Sequence, residues 1–181
     1  FSGTPTWVLS LEGGAQLAGQ GKYDPWGAYI RMTPVEVWPL TRIYSVSGYK
    51  TSAVSSLHEG GLTMTLGTAY TDQETFLAAS TTAARYDTLI WAGGTFVRLG
   101  SRPSLPITVS GSGCLNPAGS FVNTVDGIAK AICEARAGLL AADLTGINTG
   151  STAVVQHVFT GEVTCEAALA EIFADAGAIG W

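Results

Sequence analysis

One stretch of this chain is strongly committed to helix, and it limits what the remainder can build. Phe121, Val125, Ile128, Ile132, Ala135 and Leu139 step by four and three residues, which lays a single apolar stripe along a helix. Asn116-Pro117 stands ahead of the stripe, a capping side chain before a proline whose missing amide costs nothing at a first turn. Asp126, Lys130 and Glu134 sit four apart on another face, where Asp126 and Lys130 can pair. Gly146 is the stop. The pattern predicts one long helix near residues 117–144.

The sequence before this segment reads mainly as strand. Trp7–Leu11 is a short apolar run closed by Gly13-Gly14, and a glycine-rich loop continues through Gly21. Tyr29–Met32, Val35–Trp38 and Ile43–Ser47 are candidate strands, with Pro34 and Pro39 confining the first two to edges or strand starts. Leu62, Met64 and Leu66 alternate with Thr63 and Thr65, so one strand face there is apolar and the other hydroxylated. Thr71 to Glu74 has capping-box spacing, and Phe76, Ala79, Ala83 and Tyr86 follow on a helical stripe. Gly93-Gly94 between Leu89–Ala92 and Thr95–Leu99 predicts a tight hairpin. Leu105, Ile107 and Val109 alternate as a further strand. After the long helix come a strand in Thr152–Thr160 and a helix from near Thr164, with Leu169, Ile172, Phe173 and Ala176 inward and Gly177 at its end.

Helices and strands do not alternate strictly, so a doubly wound sheet is disfavoured. The expected class is α+β: a mostly antiparallel or mixed sheet with about three helices, one of them long. The 181 residues are enough for one sizeable core, so a single domain over 1–181 is expected. The chain opens on Phe1 rather than Met, which suggests a fragment or processed piece of a longer protein.

Charge narrows the partners. Charged residues are only 13% of the chain, about half the usual share, and lysine is confined to Lys22, Lys50 and Lys130. A net charge of −5 with scattered arginines is a poor phosphate-tracking surface, so no nucleic-acid interface is expected. No apolar run approaches the length that crosses a bilayer, and no membrane partner is expected. Cys114, Cys133 and Cys165 are odd in number and widely spaced, which speaks against a disulfide framework or a cysteine zinc site and suits a reducing compartment. Cys133 reads as a small buried residue.

Residues able to carry chemistry are few. His58 is placed in a polar loop beside Glu59, where it could act as an acid or base. His157 shares a strand face with Val155 and Phe159 and reads as a packing residue. Ser47-Gly48-Tyr49-Lys50 has the S-x-x-K spacing of some acyl-enzymes, but Gly48 and the strand-like run before it oppose the helix that this chemistry needs. Gly111-Ser112-Gly113 lies where a phosphate turn would, without the next glycine or a Walker lysine, and is expected to be a strand-to-helix turn. Glu12, Asp24, Glu36 and Glu59 show no spacing that pairs them, and Trp7, Trp26, Trp38, Trp91 and Trp181 suit a core, an interface or a sugar-stacking face. No catalytic, cofactor-binding or metal-ligating set is assigned, and no cofactor.

A surface this poor in charge resists self-association weakly. The expectation is a structural, self-associating subunit of a large assembly, in character a virion component. A shell around a double-stranded genome or a tail or baseplate part fits, with the virion or host cytoplasm as its place. The alternatives are a small-molecule or sugar-binding module, or a hydrolase using His58.

Overall fold

In a computed structural model, the described residues are 17, 23–148, 150–160 and 163–175. The expected Trp7–Leu11 strand, the glycine-rich loop apart from Leu17, Glu12, Ala176, Gly177 and Trp181 lie outside them. Eleven strands and three helices are described. The strands are β1 (Asp24–Gly27), β2 (Ile30–Met32), β3 (Val35–Trp38), β4 (Ile43–Ser47), β5 (Thr51–Glu59), β6 (Leu62–Thr63), β7 (Thr65–Tyr70), β8 (Arg85–Trp91), β9 (Gly94–Leu99), β10 (Ile107–Cys114) and β11 (Gln156–Phe159). The helices are α1 (Gln73–Ala78), α2 (Val125–Ala137) and α3 (Cys165–Asp175), with a 3₁₀ turn at Ala141–Leu144. The class is α+β, as the sequence predicts.

The strands form a five-stranded sheet ordered β3-β4-β9-β8-β7, a four-stranded sheet ordered β2-β10-β5-β6, and a β1-β11 ribbon. All pairings are antiparallel except β7 with β8. The two larger sheets face each other across Ile30, Met32, Tyr44, Val46, Leu57, Tyr86, Val97, Leu99, Ile107 and Val109. The Tyr86 hydroxyl crosses this layer to hydrogen-bond the main chain of Leu57. On its other face the five-stranded sheet carries Ile43, Leu89 and Phe96, covered by Phe76 of α1 and by Leu17. Both faces of this sheet are therefore covered, which is why every residue of β4 and β9 is buried. A third cluster joins Trp26 of the ribbon and Cys114 at the end of β10 to α2 and α3.

The long helix is shorter than its apolar stripe predicts. Asn116 caps a turn instead: its Oδ1 accepts from Ser120 N at 2.8 Å, and Gly119 N donates to the Asn116 carbonyl at 2.8 Å. Gly119 takes φ +83°, which makes Asn-Pro-Ala-Gly a turn rather than a helix start. The cap falls on Thr124, whose hydroxyl accepts from Gly127 N at 3.3 Å. Gly138, at φ +65°, ends the helix well before Gly146. Within these limits the period holds, since Val125, Ile128 and Ile132 are completely buried. Phe121 and Leu139, beyond the helix ends, are exposed.

The expected helix after Thr71 also contracts. Asp72 rather than Thr71 is the cap, accepting from Thr75 N at 2.8 Å, and α1 ends at Ala78. Tyr86 belongs to β8. The segment is a crossover returning the chain parallel to β7, and Ser80-Thr81-Thr82 resist helix. The hairpin forms, but its turn is Ala92-Gly93, with Trp91 opposite Gly94. The alternating segment at 62–66 splits between β6 and β7, and its apolar face is only partly covered: Met64 packs against the core between the sheets, while Leu62 is 76% and Leu66 43% exposed.

At Gly27 the backbone itself demands glycine. Its φ is +89°, and a Cβ there would lie 1.7 Å from the Val155 carbonyl oxygen. That close approach seats the β1-β11 ribbon.

Candidate functional site

His58 lies in β5, not in a loop, and on a strand neighbouring side chains point to opposite faces. It therefore cannot work with Glu59. The Glu59 carboxylate accepts from Ser104 N at 2.6 Å and Leu105 N at 3.2 Å, which fastens the loop leading to β10. On the outer face of the four-stranded sheet, His58 stands opposite Thr108 and Thr63, and Ser56 stands opposite Ser110, which in turn stands opposite Arg31. Ser56 Oγ is 3.0 Å from His58 Nε2, and Thr63 Oγ1 is 3.1 Å from Nδ1. This is a hydroxyl–imidazole–hydroxyl chain. It resembles a nucleophile, a base and an orienting group, but the orienting position holds a hydroxyl where a carboxylate would stabilise imidazolium.

His157 is far more tightly held. Its Nδ1 is 2.7 Å from Asp175 Oδ2 and its Nε2 3.0 Å from Glu171 Oε2, while its ring packs on Phe159 at 4.4 Å between centroids. The packing role read from the sequence is present. Sequence reasoning misses the carboxylates, although Glu171 and Asp175 at i and i+4 already share one face of a helix. Both ring nitrogens thus face carboxylates of α3. The arrangement clamps α3 to β11.

The remaining motifs resolve into structure. Ser47 is completely buried in β4, where its Oγ is 3.4 Å from Cys114 Sγ, and Cys114 Sγ donates to Asp24 Oδ1 at 3.5 Å. The S-x-x-K match is thus not a catalytic pair. Burial pushes the Cys114 thiol up to about 12, which keeps it protonated and unreactive. Gly111-Ser112-Gly113 is not a turn but lies inside β10, where a bulge follows Ser110 and the Gly113 Cα packs against the β1 backbone. Trp26 sits in the helix-ribbon core, and the half-buried Trp38 and Trp91 pack beside Phe96 and Phe76.

The most elaborate polar assembly lies beneath α1. Arg98 and Asp87 are cross-strand partners, both about 95% buried, with Nη2 and Oδ2 3.3 Å apart. Arg98 Nε donates to Thr81 Oγ1 at 2.7 Å and Nη1 to the Phe76 carbonyl at 2.6 Å. Asp87 accepts from Thr68 N at 2.7 Å and Thr81 Oγ1 at 2.6 Å. The guanidinium also lies 4.7 Å from the centre of the Phe76 ring. One ion pair thereby links β7, α1, β8 and β9.

A hollow of about 10 Å³, open to solvent, is lined by Pro25, Ile30, Met32, Val46, Thr51 and Val109 among others. It is smaller than the several hundred Å³ of a usual small-molecule site. Among the described residues, no group of three or more His, Cys, Asp or Glu is placed to hold a metal ion. No helix among them is long and apolar enough to cross a membrane. No family model, curated protein or solved structure matches the chain.

Proposed function

We propose that this chain is a structural, self-associating subunit of a large assembly, in character a virion component such as a shell protein or a tail or baseplate part. The observation that carries the reading is the face along β6 and β7. Leu62 and Leu66 are exposed there, although their alternation with threonine is that of a strand meant to be covered. β7 is the edge of the five-stranded sheet, pairs only with β8 in that sheet, and has every residue but Tyr70 exposed. It contains neither a charge nor a proline, the devices by which sheet edges ordinarily refuse partners. The low charge of the chain supports the same reading.

Light scattering coupled to size exclusion tests it. The wild-type chain is expected to elute as an oligomer whose mass rises with concentration. Thr68→Lys, which places a charge on the exposed edge, is expected to return it to monomer. A wild-type monomer throughout the micromolar range overturns the proposal.

The hydrolase reading keeps one specific support, the 3.0 Å contact of Ser56 Oγ with His58 Nε2. Labelling of Ser56 by a fluorophosphonate, abolished by His58→Ala, is the outcome that would favour it.

A further inference from the structure

We infer that the outer face of the four-stranded sheet binds a phosphate group across Arg31, Ser110 and Ser56. The inference does not depend on the self-association reading. Ile30 and Met32 are buried between the sheets, so Arg31 between them points outward, where it is exposed. Register places Arg31, Ser110 and Ser56 side by side in one row across β2, β10 and β5. A second row, Thr108, His58 and Thr63, runs beside it across β10, β5 and β6. Residues directly opposite in antiparallel strands hold their Cβ atoms about 5 Å apart, so the long Arg31 side chain spans Ser110 and meets the same anion as the two serine hydroxyls. Neither row holds a carboxylate to repel an anion. Glu59 faces away and is engaged with Ser104 N and Leu105 N.

His58 sets the direction of the Ser56 hydroxyl. Its Nε2 is 3.0 Å from Ser56 Oγ and its Nδ1 3.1 Å from Thr63 Oγ1. A neutral imidazole has one N–H and one bare nitrogen. When the Thr63 hydroxyl donates to Nδ1, the Nε2–H donates to Ser56 Oγ, and the hydrogen of Ser56 is left to donate outward. An anion above the first row selects this direction, because it is the acceptor that the Ser56 hydroxyl then needs. The opposite direction, Ser56 donating to Nε2, is that of a nucleophile and its base, and it lacks the carboxylate on Nδ1 that would sustain it. The Arg31 fork adds charge and paired N–H donors, which match the oxygens of a phosphate. With both serine hydroxyls the row addresses three oxygens, as a tetrahedral anion offers and a planar carboxylate does not.

The test titrates inorganic phosphate into the full chain at low ionic strength, followed by phosphorus and histidine-ring NMR. The His58 resonances are expected to shift and saturate, while those of His157, held between Glu171 and Asp175, stay in place and report an intact fold. Arg31→Met should weaken binding about tenfold, the loss of one charge-assisted pair. Arg85→Met, which removes the same charge from the exposed start of β8, should leave it unchanged. His58→Gln keeps an N–H for Ser56 and should retain binding, whereas His58→Leu removes it and should weaken binding. Glycerol 3-phosphate in a parallel titration separates the sources: tighter binding than inorganic phosphate assigns the site to a phosphate ester, equal or weaker binding to the free ion. A His58 shift that never saturates, equal losses in Arg31→Met and Arg85→Met, loss of binding in His58→Gln, or acetate bound as tightly as phosphate overturns the proposal.

Discussion

Asp87→Asn isolates the charge of the buried ion pair while keeping its shape. The replacement amide can still accept from Thr68 N, but it leaves the Arg98 guanidinium about 95% buried without a counter-ion. Removing one member of such a pair costs about 3–5 kcal/mol, because the remaining charge keeps its desolvation penalty and loses the attraction that offset it. The ordinary stability of a domain is only about 5–15 kcal/mol, so this single atom-scale change removes a large part of it. At roughly 2–4 °C per kcal/mol for a chain of this size, the midpoint should fall by about 6–20 °C. Urea unfolding followed by tryptophan fluorescence measures the loss directly. The companion Arg98→Met removes the cation, and the double variant should cost clearly less than the sum of the singles, with a coupling of about 2–3 kcal/mol. A loss below about 1 kcal/mol for Asp87→Asn, or strictly additive singles, would refute the view that this pair holds β7, α1, β8 and β9 together.

Two further outcomes follow from local chemistry. Gly27→Ala is expected to cost more than the roughly 1 kcal/mol of an ordinary strained glycine position, because the new methyl collides with the Val155 carbonyl as well as adopting φ +89°; thermal unfolding measures it. Tyr44 is pushed up to about 12 by burial and by the Glu36 carboxylate, and burial raises Tyr86 as well. Their folded state holds its protons longer than the unfolded chain, so the stability they contribute is complete below pH 10 and is lost as pH rises towards 12; absorbance at 295 nm with Tyr44→Phe separates the two.

Local patterns are legible where one rule acts alone. The Ile43–Ser47 strand, the hairpin around Gly93 and the helix after Thr164 are in place because periodicity and turn chemistry meet no rival there. The long helix departs from its pattern at both ends because a stripe says where a helix can run, while Gly119 and Gly138 in positive φ decide where it does. Strand β5 escapes sequence reasoning because its residues suit a strand with one solvated face, and a mixed Ser, His and Glu composition looks like loop.

The amino-acid sequence by itself determined the α+β class, the low charge and the residue types available for chemistry, since these depend on composition and on spacing over a few residues. Tertiary structure alone decided that His157 meets Glu171 and Asp175, and that Arg98 meets Asp87 under α1. Each depends on pairings between segments distant in the chain, which strand register and helix packing set and which no local period encodes.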